Sequence, residues 1–423
     1  MKTVLQGGVV VRPDGVFAAD ISFENGRILE MSDRLPVDGA ETVDASGCYV
    51  LPGAVDVLVH CLPERLEKTG EAAARGGTTC HGWVAVADGG DVASVALPVD
   101  VVRLAPLTSD AAGGTAPRLL GERRLEAAGA VVGELHAAAS AGTVVLARPE
   151  LPGVCRFLED ELRAAGSTAV RHWPAASPGY VEEEAARLAV SLARAAGCRL
   201  GLLPLSTHGA LEAVRQARER RQPVWAATSP QYLLLDETAY EEGAAEGLKY
   251  AMRPPLRAAG QAARLWDALS DGLLDAVASD HHDTTFAAKW EAGSADAFAC
   301  PAGIPGVETR LPLLFSEGVL KGRLTLPRLV QCLCSEPARV LGVGERKGDL
   351  LPGFDADICL LDPADERLLT ARRLHQGDYT PFEGMSVRGW PRMVWLRGNR
   401  LPADGHEEET PARHGMWLSG GGD

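Results

Sequence analysis

The chain is short of positive charge. Its 423 residues include 42 lysines and arginines against 57 aspartates and glutamates, which leaves a formal net charge of −15. Nucleic acids and anionic membrane surfaces are themselves negative and repel a protein with this balance. We therefore expect neither of them as a partner.

Long apolar runs are also missing. No stretch has the ~20 apolar residues that a membrane-spanning helix needs, and the first residues lack the apolar core of a secretory signal. The nine cysteines are odd in number and scattered, so they are not the disulfide framework of a small secreted domain. These features predict a cytoplasmic protein with reduced thiols.

Strand signals occur at both ends of the chain, and strands alternate with helices between them. Asn25-Gly26 lies between two short apolar segments and predicts a two-residue β-hairpin. From Leu51 the pattern alternates, with helices such as Val181–Ala196, which Gly197 is placed to end. Strand signals return after about residue 335.

Alternation of this kind predicts a parallel sheet. Because no glycine-rich dinucleotide fingerprint accompanies it over ~280 residues, a closed barrel is favoured. We predict a β-domain from residues 1–50 and 338–403, a barrel from 51–337 and a tail from 404–423, which is mobile or reaches a neighbour. In the short segment from 90 to 150, Val101–Thr108 and Ala130–Val132 are predicted strands.

Several motifs point to one family. The run Leu51–His60 is apolar, broken by Pro-Gly and closed by Asp-x-x-x-His, and it resembles the first barrel strand of the metal-dependent amidohydrolases. Later motifs resemble the hydantoinase/dihydropyrimidinase branch of that superfamily, with dihydroorotases more distant. In chain order these motifs are Ser229–Asp236, Gly247–Arg257, Leu265-Trp266, Ser279-Asp280-His281, Gly303–Arg310, Lys347-Gly348-Asp349, Asp355-Ala356-Asp357, Leu374-His375-Gln376, Asp378–Gly384 and His414-Gly415.

The resemblance implies an α/β fold, a (β/α)8 TIM-like barrel with a small β-sandwich built from both chain ends. It implies two metal ions bridged by a carbamylated lysine, with four histidines and one aspartate completing the shell. The ions lower the pKa of bound water and polarise the amide carbonyl, while the aspartate shuttles a proton. Family habit also implies a homodimer or homotetramer.

Most of the implied ligand positions hold residues that cannot bind a metal. The first strand has Leu58 where the His-x-His pair begins, and only His60 remains of that pair. Leu146 and Pro204 stand at the histidine positions of two later strands. With Asp280 the chain keeps two residues of the expected set, too few for two divalent ions.

The bridging lysine and two substrate contacts have changed as well. No lysine occurs between Lys68 and Lys249. Arg253 precedes Pro-Pro-Leu-Arg, where the family has a small polar residue, and Ala302 replaces the asparagine of the Pro-Asn-Gly turn. We therefore expect no metal cofactor.

Two new arginines have alternative roles. Arg148 and Arg253 either bind an anionic ligand or form ion pairs with Asp280 or Glu150. His282 is a further candidate for binding substrate.

A rebuilt zinc site is a separate alternative, because histidine and cysteine are ligands that zinc accepts. Its candidates are His60, Cys61, His81, Asp280 and His282. Strand alternation speaks against it, since neighbouring side chains point to opposite faces.

Three functions follow from this pattern. The first is a non-catalytic relative that binds a ligand or assembles with a second, active subunit. The second is a metal-independent enzyme that opens or closes a cyclic amide or ureide at a C–N bond, with Asp280 and His60 as its acid/base pair. The third is a hydrolase with a single metal ion in a remodelled site.

Overall fold

A computed structural model describes residues 1–85, 95–107, 116–120, 122–401 and 414–419. The chain divides into two compact units. Unit 1 comprises Met1–Arg103, Gly306–Gln376 and Phe382–Asp423, and unit 2 comprises Leu104–Pro305 and Gly377–Pro381. The domain limits at residues 50, 337 and 403 stay predictions.

Among the described residues the strands are short, and most are buried. In chain order they are β1 Thr3–Gln6, β2 Val9–Arg12, β3 Gly15–Ala18, β4 Asp20–Glu24, β5 Arg27–Ser32, β6 Glu41–Asp44, β7 Tyr49–Pro52, β8 Ala54–Cys61, β9 Thr78–Ala85, β10 Asp100–Arg103, β11 Ala105–Pro106, β12 Arg118–Leu120, β13 Val144–Ala147, β14 Arg199–Leu202, β15 Val224–Thr228, β16 Ala276–Val277, β17 His281–His282, β18 Ile358–Leu368, β19 Ser386–Leu396, β20 Asn399–Arg400 and β21 Trp417–Leu418.

The α-helices lie mainly in unit 2. They are α1 Leu66–Arg75, α2 Ala128–Ser140, α3 Pro152–Ala164, α4 Trp173–Ala176, α5 Gly179–Ala196, α6 His208–Glu219, α7 Pro230–Leu234, α8 Ala244–Leu248, α9 Gln261–Ser270, α10 Phe286–Gly293, α11 Arg310–Leu314, α12 Leu326–Val330 and α13 Glu336–Val340. Short 3-10 turns span Pro63–Arg65, Glu122–Ala127, Val170–His172, Glu237–Glu241 and Ala297–Ala299, and π-helical turns span Phe315–Val319 and Gln331–Ser335.

Unit 1 contains two sheets near the amino-terminal end of the chain, and the second of them also includes strands from the carboxyl-terminal part. One has the order β5-β4-β1-β6, and the other has the order β20-β19-β18-β7-β2-β3. In the second sheet β7 pairs antiparallel with β18 and parallel with β2. Their inner faces share one apolar core that includes Val10, Phe23, Ile358 and Trp395. This core explains why the two chain ends fold together.

The predicted hairpin joins β4 and β5. Asn25 and Gly26 have φ angles of 52° and 78°, both in the left-handed region. A two-residue turn of this kind twists in the same sense as the strands that it connects. The sequence prediction at this position is confirmed.

Unit 1 also contains a parallel sheet of β8, β9, β10 and β21. The last of these comes from the predicted tail and pairs with Val101 and Val102. The Trp417 ring lies 5.6 Å from the Trp83 ring. The described part of the tail is therefore a strand of this chain's own sheet.

Unit 2 is built on a six-stranded sheet with the order β11-β12-β13-β14-β15-β16. Every neighbouring pair is parallel, and helices such as α5 and α6 connect successive strands. This is the predicted alternation of strand and helix. It places the carboxyl ends of the strands at one edge of the sheet.

The segment between residues 100 and 140 differs from the sequence prediction. Val101–Thr108 forms two strands, β10 and β11, and Thr108 lies outside the described residues. Ala130–Val132 is not a strand but part of α2, so that prediction is wrong. A short apolar run does not distinguish strand from helix, and here buried Val131, Leu135 and Ala138 recur at helical spacing.

No helix within the described ranges is both long and apolar enough to cross a membrane. All nine cysteines are buried.

Candidate functional site

In unit 1 the end of β8 carries the first predicted site residues. His60 is half-buried, whereas Leu58, two residues earlier on the same strand face, is fully buried. Cys61 points the other way, into an apolar cluster with Leu66 and Trp83. Its backbone oxygen accepts a hydrogen bond of 3.1 Å from Trp83 Nε1.

His81 lies on β9 opposite Asp56 of β8. It is fully buried, and neither ring nitrogen has a side-chain or main-chain hydrogen-bond partner of normal geometry among the described residues. Burial lowers the pKa of His81 to about 4, although the nearby charge of Asp56 opposes this. The imidazole is therefore neutral at pH 7.

In unit 2 the end of β13 carries an ion pair. Arg148 Nη2 donates to Asp280 Oδ1 at 2.8 Å, and the two residues are 9% and 3% exposed. Arg148 Nη1 donates to the backbone oxygen of Arg253. Of the two roles predicted for Arg148, the ion pair with Asp280 is the one in the structure.

Arg253 is held by two carboxylates. Its guanidinium donates to Glu150 Oε1 at 3.3 Å and also to Glu159. The guanidinium carbon lies 5.4 Å from the centre of the Trp173 ring, in the geometry of a cation–π contact. Burial lowers the pKa of Arg253, but Glu150 and Glu159 outweigh it, and the net shift is upward.

The support for Arg253 continues on its far side. The Trp173 ring stacks on Phe298 with centres 6.2 Å apart, and the Arg163 guanidinium lies 5.5 Å from the Phe298 ring. Glu159 Oε2 also lies 3.7 Å from Arg163 Nη1. Arg253, Trp173, Phe298, Arg163 and Glu159 therefore form a closed ring of contacts.

Asp280 and His282 follow the last strand of the unit 2 sheet. Asp280 has a φ of 51°, in the left-handed region that few residues other than glycine adopt. The His282 backbone N–H donates to Ile304 at 2.9 Å. Gly303 has a φ of 121°, and a Cβ there would lie 2.3 Å from His282 Cγ, so this turn requires glycine.

Tyr232 is fully buried in the same unit, and its hydroxyl donates to the Pro254 oxygen at 2.7 Å. Burial raises the pKa of Tyr232, the charge of Asp280 raises it further, and Arg148 opposes this. The phenol is therefore a neutral hydrogen-bond donor at all ordinary pH values.

Sequence reasoning missed two buried polar networks. In unit 2, Glu182 accepts hydrogen bonds from the backbone N–H of Ser206 and of Thr207, and its carboxylate pairs with Arg257 at 2.9 Å. This network ties α5 to the loop after β14. Arg257 belongs to the Pro-Pro-Leu-Arg motif, and that was the one signal in the sequence that could have indicated it.

The second network lies in unit 1. Asp100, Asp355 and Asp357 bring three carboxylates within 4.8 Å of one another, close enough to hold a metal ion. Lys347 Nζ contacts all three, at 2.7, 3.1 and 2.7 Å. Arg397 also pairs with Asp100. The protein's own ammonium group therefore occupies the centre of this cluster.

Comparison with known proteins accounts for the motifs. The amidohydrolase family description matches residues 214–401. A D-phenylhydantoinase of Escherichia coli O1:K1 / APEC is 32% identical over 441 residues, which cover 96% of this chain and 95% of the relative. The chain belongs to the hydantoinase/dihydropyrimidinase branch of the amidohydrolases.

Solved structures agree with this assignment. A D-hydantoinase structure has a TM-score of 0.92 and 30% identity, with 99% of each chain covered. Dihydropyrimidinase from Brevibacillus agri NCHU1002 has a TM-score of 0.89 and 28% identity, covering 100% of this chain and 99% of that one. The fold is therefore the (β/α)8 barrel with a small β-sandwich, as predicted.

For this hydantoinase-family chain the structure brings together part of the predicted site. Arg148 contacts Asp280, and Arg253 contacts Glu150. His282 packs against the Gly303 turn of the same unit. The remaining predicted residues, His60, Cys61 and His81, belong to unit 1.

Proposed function

We propose that this protein is a hydantoinase-fold homologue that does not carry out two-metal hydrolysis and acts by binding or by assembly. It belongs to a metal-dependent family whose curated members include D-phenylhydantoinases. This chain differs from those members in the residues that stand at the metal-ligand positions implied by the resemblance.

The observation that carries the proposal is the ion pair between Arg148 and Asp280 at 2.8 Å. Asp280 is the aspartate that the family uses as a metal ligand, according to the motif match. Here its carboxylate is bonded to a guanidinium. Since a guanidinium is always positive and has no lone pair, it neither binds a metal nor accepts a proton.

Leu58 and Leu146 add to this support. Both stand at positions where the resemblance places histidine ligands, and both are buried and apolar. Catalytic zinc sites have three protein ligands for each ion, and neither leucine offers a donor atom. We infer that these residues do not fit a two-metal centre.

Ring-opening assays test the proposal. Hydantoin, 5-phenylhydantoin and dihydrouracil are incubated with the protein after growth and purification with added zinc or manganese. The matched control is the Escherichia coli D-phenylhydantoinase, prepared in the same way. We expect turnover by the control alone; metal-dependent ring opening by this chain at a comparable rate would refute the proposal.

A second candidate is metal-independent catalysis at a C–N bond of a cyclic amide or ureide. The observation in its favour is the left-handed backbone of Asp280, because residues in sparsely populated conformations cluster at active sites. Asp280 would transfer the proton, and His60 is kept as the predicted second group of the acid/base pair. Ring closure measured on wild type and Asp280→Asn separates the candidates, since an enzyme of this kind loses its activity in the variant.

Other predictions from the sequence stay proposals. These are a homodimer or homotetramer, an active homologous subunit as partner, and a cytoplasmic location. A zinc ion bound by His60, Cys61, His81, Asp280 and His282 is the fourth; within that set Cys61 packs in an apolar cluster and His81 is fully buried. Affinity purification from native cells, with metal analysis of the product, tests the partner subunit and the zinc ion, light scattering tests the oligomeric state, and cell fractionation tests the location.

A further inference from the structure

β13 has Leu146 where the resemblance implies a histidine ligand, and the residue that follows the end of this strand is the cation Arg148. Leu146 is fully buried on β13, and Arg148 follows two residues later, directly after the end of that strand. The Arg148 side chain is 10% exposed, so its charge is largely removed from water. A buried charge of this kind is found where it has a partner of opposite sign.

That partner is Asp280. The distance of 2.8 Å between Nη2 and Oδ1 is typical of a charge-assisted hydrogen bond. Without a neighbouring cation, a carboxylate that is 3% exposed would be strongly disfavoured. Arg148 therefore offsets a cost that Asp280 would otherwise impose on the fold.

The surroundings fix Arg148 in this position. Its second nitrogen donates to the backbone oxygen of Arg253. The Arg253 side chain is itself held between Glu150, Glu159 and the Trp173 ring. Because Arg253 is held in place by these contacts, its backbone oxygen is a fixed acceptor for Arg148. The Arg148 side chain is therefore preorganised by the protein itself and does not need an anionic ligand to order it.

We propose that Arg148 is the built-in counter-ion of Asp280, and that it supplies the positive charge that a metal ion supplies at this carboxylate in metal-dependent members of the family. The proposal rests on the proposed function, because it requires that no metal occupies the position. It assigns a role to one residue: Arg148 makes the metal-free barrel stable. It does not make the barrel reactive, because a guanidinium cannot lower the pKa of a bound water as a metal does.

A double-mutant cycle on the full chain tests this assignment. The variants are Arg148→Met, Asp280→Asn and their combination, and the readout is the thermal unfolding midpoint. We expect Arg148→Met to lower the midpoint because it removes the guanidinium that pairs with the buried carboxylate of Asp280. Adding Asp280→Asn should recover most of that loss. The matched control is Arg218→Met, which breaks the ion pair of Arg218 with Asp275 in the same unit and should not be rescued by Asp280→Asn.

Other results would overturn the assignment. One is a double variant whose midpoint falls by the sum of the two single losses. Another is an equal recovery of the midpoint when Asp280→Asn is added to Arg218→Met. If Arg148→Met does not fold, a folded double variant supports the pairing, whereas an unfolded double variant beside a folded Asp280→Asn contradicts it. Metal analysis of the wild type separates this result from the proposed function: a stoichiometric metal ion refutes the function, whereas missing coupling in a metal-free protein refutes only the role of Arg148.

Discussion

Replacing Lys347 by methionine tests how the acidic cluster of unit 1 is stabilised. Lys347 Nζ lies 2.7 Å from Asp100, 3.1 Å from Asp355 and 2.7 Å from Asp357, and the lysine side chain is 1% exposed. Burial lowers the pKa of Lys347, but Asp357 and Asp100 outweigh it, and the net shift is strongly upward. The ammonium is therefore charged at every pH at which the protein is studied.

The three carboxylates would be affected unequally. Asp100 keeps Arg397, and Asp355 keeps Arg346 as a partner. Among the described residues, Asp357 would keep a backbone hydrogen bond of 2.9 Å from Arg397 but no salt bridge. Breaking a buried pair so that one charge stays behind costs about 3–5 kcal/mol. At about 2 °C per kcal/mol, the unfolding midpoint should fall by roughly 6–10 °C.

The pH dependence of the fall in the unfolding midpoint shows whether the charge of Asp357 causes it. Burial raises the pKa of Asp357. In the variant no ammonium opposes that shift, so Asp357 takes up a proton at a higher pH than an ordinary aspartate, and the unpaired charge disappears as the pH is lowered. The difference between variant and wild type should therefore shrink as the pH is lowered.

Thermal unfolding followed by circular dichroism at several pH values measures both effects. The double variant Lys347→Met/Asp357→Asn should recover much of the loss. The control is Lys289→Met: this lysine is also buried, but it donates to the Ala251 backbone oxygen at 2.6 Å and has no carboxylate partner among the described residues. A loss that is independent of pH, or equal in the control, would refute the reasoning.

Three further changes have expected outcomes. His81→Leu should leave the protein as stable or more stable at pH 7, because it removes a buried imidazole with unpaired nitrogens. Burial lowers the pKa of His81 to about 4, so the free energy of unfolding of the wild type should fall by about 3 kcal/mol as the pH falls from 6.5 to 4. The free energy of unfolding of the variant should fall by less over that range, as denaturant titration would show. Glu182→Ala should cost about 3–5 kcal/mol by leaving the buried charge of Arg257 without its carboxylate, and a small change in the urea midpoint would contradict this. Gly303→Ala should cost more than about 1 kcal/mol, because its φ is 121° and its Cβ would collide with His282; an unchanged midpoint would disprove the collision.

Local features of the fold could be predicted from the sequence. The Asn25-Gly26 turn was predictable because its conformation depends on two residues alone. The helix predicted over Val181–Ala196 is observed over Gly179–Ala196, and Gly197 ends it with a φ of 69°. Both features depend on neighbours in the chain.

Features that depend on distant residues could not be predicted. The short strand β12, Arg118–Leu120, is defined only by its pairing with β11 and β13. The strand β21 forms in the polar tail because β10 offers it a sheet edge. Propensity alone cannot indicate strands of two or three residues that are stabilised by pairing.

The candidate site shows the same limit. The sequence named Arg148 and Asp280 but left an ion pair and an anion site as equal alternatives, because the two residues are 132 positions apart. The four members of the Lys347 cluster, scattered from Asp100 to Asp357, carried no local signal for an ion cluster. Charges that pair across the fold are visible only once the chain is folded.

The metal content of the native protein tests the central claim most directly. The chain is purified without chelators from cells supplied with zinc and manganese, and its metals are counted per chain by mass spectrometry. The account predicts substoichiometric amounts, because Leu58 and Leu146 offer no donor atom and Arg148 already holds the carboxylate of Asp280. Two tightly bound divalent ions per chain would contradict it.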